Sequence, residues 1–202
     1  MPEQPPLVFV YADESCLGNQ YKDRARPGGA AGLMEYWHPE KGWVRRDFYL
    51  AEPDTTNNRM AIRSATVPLQ SLKQASRVVF TSDSRYLVDG MTSWVHGWAA
   101  RGWVRKGGEI ENLELWKALM PVAARHEVQW RWVKGHNGHA QNEYANFLAT
   151  RSAAKQMDSG GLVESGFDAW LREEQAKERC RNFFPVPPDK FEFKPGRRAP
   201  TR

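Results

Sequence analysis

The 202-residue chain is 41% hydrophobic and 26% charged, which suits one ordinary domain with an added segment. Lysine plus arginine exceeds aspartate plus glutamate by 29 − 24 = 5, a balance that favours a polyanionic partner. Its two cysteines, Cys16 and Cys180, have no paired spacing, no apolar run approaches the roughly 20 residues of a bilayer span, and the first six residues do not read as a signal peptide. A disulfide framework, a cysteine zinc site and a membrane protein are thereby set aside, and a cytoplasmic monomer with no membrane partner is expected.

Leu7 to Tyr11 and Ala12 form an apolar run, rich in β-branched and aromatic residues, that ends in Asp13. Such a run fits a strand covered on both faces, delivering an acid to the C-terminal end of an α/β sheet. On its own Asp13 reads equally well as a strand-end carboxylate. The loop Glu14 to Gly29 follows, with Lys22, Arg24 and Arg26. Ala30 to Trp37 and Trp43 to Leu50 are expected as two strands joined at His38 to Gly42.

Thr55-Thr56-Asn57-Asn58 has N-cap character and precedes the helix-period residues Met60, Ile62, Ala65, Leu69 and Leu72. Pro68 should kink that helix or shift its boundary. Val78 to Thr81 is a short buried strand running into Asp83, a second strand-end acid, with Ser84 placed to cap the next helix. Helical segments from Tyr86 to Val104 carry Trp94, Trp98 and Trp103 beside Arg101, Arg105 and Lys106. Core packing explains the tryptophans alone, and a solvated edge explains the basic residues. Glu111 to Arg125 reads as a helix, Glu127 to Val133 as an alternating strand, Lys134 to His139 as a glycine-hinged loop, and Ala140 to Ala154 as a helix. The order βββαβααβα describes a five-stranded mixed α/β sheet, its first three strands antiparallel, with helices on both faces. Residues 1–155 form this domain. Residues 156–202 are a C-terminal extension: a Ser159-Gly160-Gly161 linker, a charged helix within Asp168 to Arg181, and a Pro-rich basic tail, partly disordered.

Tyr11 to Asn19, Thr55 to Met60, Ser82 to Tyr86, Trp132 to His139 and Gln141 to Asn146 occur in that order, and together they closely resemble type 1 ribonuclease H over residues 7–154. The resemblance implies the ribonuclease H-like fold and an endonuclease that cuts the RNA strand of RNA/DNA hybrids with Mg²⁺ or Mn²⁺. Hydrolysing a phosphodiester needs an activated water and charge stabilisation, which two metal ions supply. Mg²⁺ prefers hard oxygen ligands, hence a carboxylate cluster. The match assigns Asp13 and Asp83 as catalytic metal ligands and His136 as the flexible-loop histidine that aids product protonation or release.

Two of the four family carboxylates are replaced: Ala61 stands for the second and Asn146 for the fourth. Three accounts are compatible with that departure. The substitutions are engineered, the chain is a catalytically inactive hybrid-binding module, or a carboxylate has moved to Glu14, where the family has glycine. Strand alternation opposes Glu14 as a ligand, although alternation can fail where a strand enters a glycine-containing loop. Glu143 is a competing acid, but the family also has one there outside the metal shell. Substrate contacts implied by the resemblance are Cys16, Asn19, Asn57 and Asn58 toward the hybrid's minor groove, Thr56 toward a DNA phosphate, and Trp94, Arg101, Arg105 and Lys106 toward the DNA backbone.

Overall fold

The apolar run near the start of the chain becomes an interior strand. The computed structural model describes residues 4–18, 25–135, 137–183 and 190–201. Its strands are β1 (Leu7–Cys16), β2 (Gly28–His38), β3 (Gly42–Glu52), β4 (Arg77–Ser82), β5 (Glu127–Trp132) and β6 (Val163–Glu164). They form one sheet in the order β5-β4-β1-β2-β3-β6. Pairing is antiparallel from β1 through β2 and β3 to β6, and parallel from β1 through β4 to β5. The expected five strands are therefore joined by a sixth. At two residues, β6 is too short for alternation to reveal, and only its pairing with Arg46 and Asp47 makes it a strand.

The helices are α1 (Asn57–Ser71), α2 (Arg85–Asp89), α3 (Val95–Ala100), α4 (Leu113–Ala123), α5 (Ala140–Lys155) and α6 (Phe167–Ala176), with a π-helical turn, Gly90–Trp94, between α2 and α3. Alternation along β1 sends Val8, Val10 and Ala12 into a core shared with Ile62, Leu69, Leu119 and Met120 of α1 and α4. Ala31 and Leu33 of β2 face the other way, against Tyr144, Leu148 and Ala149 of α5. Both faces of the sheet are covered, which is why β1 carries no polar alternation.

Thr56 caps α1, its hydroxyl accepting from Arg59 N–H at 3.3 Å. Pro68 does not end that helix; it is buried one turn from the C-terminus, and the helix runs on to Ser71. The charged helix expected within Asp168 to Arg181 is shorter, because Glu178 and Cys180 take left-handed backbone angles (φ 66° and 49°). Downstream, Phe191 meets Phe9 edge-on at 5.1 Å, and Gly196 N–H donates to Val128 O at 3.0 Å on the outer side of β5. Residues past 155 thus pair with β3 through β6 and cover part of the outer strand β5, edges that would otherwise be open to association. Pro185 to Pro188, expected to be extended or disordered, lie outside the described residues.

Candidate active site

The parallel register of β1 and β4 creates the site. It aligns Tyr11 with Thr81, so Asp13 and Asp83 leave the same end of the sheet, each two residues beyond that pair. Asp13 is buried, and its Oδ1 accepts the Glu14 N–H at 2.7 Å. Burial pushes the Asp13 carboxyl up to about 8; the negative charges of Asp83 and, more weakly, Glu143 act in the same direction. The end of β5 packs against Asp83. Trp132 Nε1 donates to the Asp83 carbonyl at 2.9 Å, and the Arg85 guanidinium lies 4.0 Å from the centre of the Trp132 ring.

Glu14 also turns into this space. Its Oε2 is sealed from solvent and has no hydrogen-bond partner among the described residues. Burial, then the charges of Asp13 and Asp83, hold its carboxyl well above the usual range, while a hydrogen bond with Ser84 opposes them. Ser84 makes no side-chain cap on α2, contrary to expectation, because its hydroxyl is directed to Glu14. Each strand end therefore delivers two successive residues, Asp13 with Glu14 and Asp83 with Ser84.

Three carboxylates whose charges repel, one with an unsatisfied buried oxygen, are a donor set that a hard divalent cation would relieve. The residues present fit such an ion in chemistry. Among the described residues, however, no group of three or more His, Cys, Asp or Glu side chains is drawn up as a ready-made cage; the acids converge without closing.

Ala61 is fully buried on the sheet side of α1 and belongs to the core with Val10 and Ala12. Asn146 is half-buried on α5; its Oδ1 accepts from the Thr150 hydroxyl at 3.5 Å. With Glu143 it lines a 440 Å³ cavity. Glu143, set aside on sequence grounds, is close enough to act on Asp13, and its place three residues before Asn146 on one helix was the available signal. His136 and Asn19 lie outside the described residues, as do Lys22 and Arg24. His139 is described: its ring packs 5.4 Å from Tyr11, and burial, then Arg131, lower its pKa.

The Cys16 thiol is used within the fold, donating to Thr55 O at 3.4 Å and Arg26 O at 3.7 Å, so it ties the end of β1 to the start of α1. Asn57 is exposed and Asn58 half-buried in the first turn of α1. Trp94, Arg101 and Arg105 line a 530 Å³ groove with Tyr86 and Trp98, and Lys106 is exposed beside Arg105. Trp94, 38% exposed, stands 5.7 Å from Tyr86 and 6.0 Å from Trp98. The site residues accordingly fall into an acid cluster, the polar start of α1, and an aromatic and basic groove along the π-helical turn and α3.

Comparisons with known proteins bear on the family and the fold. The RNase H family model matches residues 5–154. A ribonuclease H of Acidithiobacillus ferrooxidans is 41% identical over 178 residues, covering 85% of this chain and 100% of its own. Ribonuclease HI of Vibrio cholerae is 44% identical over 147 residues, covering 72% and 88%. Among solved structures, LC9-RNase H1, described as a type 1 RNase H with the type 2 active-site motif, is 50% identical with a TM-score of 0.90, over 100% of this chain and 97% of that one. The PFV RNase H domain, at 16% identity and a TM-score of 0.64 over 76% of this chain and 97% of that one, shares the fold. Matches of this extent and identity establish that the chain belongs to the ribonuclease H family.

Proposed function

We propose that the chain is a divalent-metal-dependent endonuclease for the RNA strand of RNA/DNA hybrids, with Asp13, Glu14 and Asp83 as its metal-holding acids. The observation that carries this reading is the solvent-sealed Oε2 of Glu14, without a partner among the described residues and set among the charges of Asp13 and Asp83. A buried carboxylate oxygen without a partner is costly unless something satisfies it. With Ala61 on α1 and Asn146 on α5, Glu14 supplies the third acid of the cluster. LC9-RNase H1, a type 1 RNase H with the type 2 active-site motif, supports the view that this fold works with a rearranged set.

Bound at these acids, Mg²⁺ or Mn²⁺ supplies charge neutralisation at the scissile phosphate and an activated water. Asp13 and Asp83 hold that charge between two strand ends, and Glu14 holds it from beside Ser84. Glu143 adds negative potential next to Asp13. Asn146 offers an amide oxygen, a neutral donor where the family has a charge. His136 is assigned to protonate or release the product. Asn19, Asn57, Asn58 and Cys16 meet the minor groove of the hybrid, while Thr56 and the Trp94, Arg101, Arg105 and Lys106 groove hold the DNA backbone.

The test compares the unaltered chain with Glu14→Gln on a labelled hybrid, in Mg²⁺ and in Mn²⁺. RNA-strand cleavage that needs the cation, lowered by roughly 100-fold in the variant, is expected if Glu14 is a ligand. Mg²⁺ should also raise the Tm of the unaltered chain more than that of Glu14→Gln. Undiminished cleavage by the variant refutes the role of Glu14. Hybrid binding with no cleavage in either metal makes the chain a binding module.

A further inference from the structure

Helix α5, which carries Glu143 and Asn146, is tied to the segment that follows it through two buried carboxylates. Asp47 on β3 is the first. Its Oδ2 accepts from the Tyr144 hydroxyl of α5 at 2.6 Å and from Gly166 N–H at 3.0 Å, and its Oδ1 accepts from the Ser165 hydroxyl at 2.7 Å. Glu35 on β2 is the second. Its Oε1 accepts from Arg45 Nε at 2.5 Å and its Oε2 from Gln141 Nε2 of α5 at 3.4 Å. Arg45 then reaches Asp168, in the first turn of α6, through Nη1 at 2.8 Å. Between the two relays Phe167 is fully buried, edge-on to Tyr144 at 5.3 Å, with the Arg45 guanidinium 5.1 Å from its ring centre.

The placement of these anchors on α5 gives them their consequence. Gln141 and Tyr144 are three residues apart and share one face of the helix; Glu143 and Asn146, also three apart, share another. His139, at the N-cap of α5, makes no side-chain cap, so the first turns take their setting from other contacts. Pinning one face at two successive points fixes both the rotation and the axial position of the other. The bonds that do the pinning end on buried carboxylates, where charge-assisted geometry is strong and directional.

We infer that Ser165, Gly166 and Asp168 are positioning residues for the ribonuclease reaction: through Asp47 and Glu35 they set α5, and with it Glu143 and Asn146, against the Asp13 and Asp83 strand ends. This rests on the ribonuclease reading above. The residues touch no substrate, and a displacement of about 1 Å at reacting groups costs as much as 100-fold in rate.

The test uses the full chain carrying Ser165→Ala with Asp168→Ala, assayed on hybrid in Mg²⁺ well below its Tm. Expected is a fall in kcat of at least about tenfold with KM within about twofold. Tyr144→Phe, which keeps the ring and removes only the hydroxyl, should reproduce the fall. Leu171→Ala removes apolar packing from the same cluster without touching either relay; at a matched loss of Tm it should leave kcat unchanged. An unchanged kcat in the double variant, or an equal fall in Leu171→Ala, overturns the inference alone. Absence of cleavage by the unaltered chain overturns the ribonuclease reading, and this inference with it.

Discussion

The carboxylate of Asp83 lies directly against the backbone of Gly135: a Cβ built on Gly135 would stand 2.2 Å from Asp83 Oδ2. The glycine is needed there for close approach, since its φ lies outside the left-handed region. What must yield to an added methyl is the end of a side chain, so the fold has room to adjust. Gly135→Ala should therefore leave Tm within about 3 °C while turning Asp83 away from Asp13, with a loss of roughly tenfold or more in hybrid cleavage. Melting and turnover measured on one preparation check both halves. A variant that cuts at full rate would mean that the Asp83 carboxylate can be displaced without harm.

Much of this arrangement was legible in the chain itself. The apolar run ending in Asp13 and the short strand ending near Asp83 are sequence patterns, and parallel pairing brings such strand ends together. The direction of Glu14 was left open by the sequence, with a move into the site as one of three accounts. A period-two pattern places residues 13 and 14 on opposite faces, and only the local course of the chain at the end of β1 brings both carboxyls to Asp83. The relays were hidden for a different reason. Asp47 and Arg45, the partner of Glu35, are bonded to a segment more than 100 residues away in sequence, which local patterns do not reveal. Pro68, three residues before the end of α1, does not terminate the helix, which runs on to Ser71.

A histidine remote from the acids should govern part of the acid response. His126 is buried, with Nε2 3.0 Å from the Leu69 carbonyl in the last turn of α1. Burial lowers its pKa below 6.5, with the Arg125 charge acting in the same sense. The unfolded chain then takes up this proton before the folded one does. The stabilising contribution is whole above about pH 6.5 and is lost as pH falls through the lower folded value. Removing the ring in His126→Leu leaves the Leu69 carbonyl without its partner and should cost about 1–3 kcal/mol at pH 7.5. The same variant should lose less Tm than the unaltered chain between pH 7 and pH 5. Parallel pH profiles of the two proteins would contradict the assignment.

The groove along α3 should bind through stacking and charge together. Trp94 is 38% exposed yet held by Tyr86 and Trp98, so truncating it removes little from the core. Trp94→Ala should weaken hybrid binding by about 5- to 20-fold, on the scale of one lost aromatic contact, with Tm nearly unchanged. Arg105→Ala should instead flatten the dependence of log Kd on log salt by about one unit, as loss of one phosphate contact does. Anisotropy titrations across a KCl series separate the two effects. An unaltered slope in Arg105→Ala removes that residue from the phosphate contacts.

The two departures from the family's acid set should respond differently to reversal. Ala61 has no exposed surface and packs among Val10, Ala12 and Ile62, so Ala61→Glu forces a longer, chargeable side chain into an apolar setting close to the sheet. In metal-free buffer this should cost about 2–4 kcal/mol, or very roughly 5–15 °C in Tm for a chain of this size. Asn146 is half-buried on α5, bonded to Thr150 and beside the open cavity that it shares with Glu143. Asn146→Asp keeps its shape and adds a charge with access to water, so it should cost less than about 1 kcal/mol. If the reading of Asn146 as part of the acid site holds, the added carboxylate strengthens the field for a divalent cation, and the Mg²⁺ concentration giving half-maximal cleavage should fall. Melts in EDTA and Mg²⁺ titrations of the two single variants distinguish these outcomes. A Tm for Ala61→Glu within about 1 °C of the unaltered chain would show that the α1 side of the site has room for an acid, and that Glu14 is one of two places where the third carboxylate can stand.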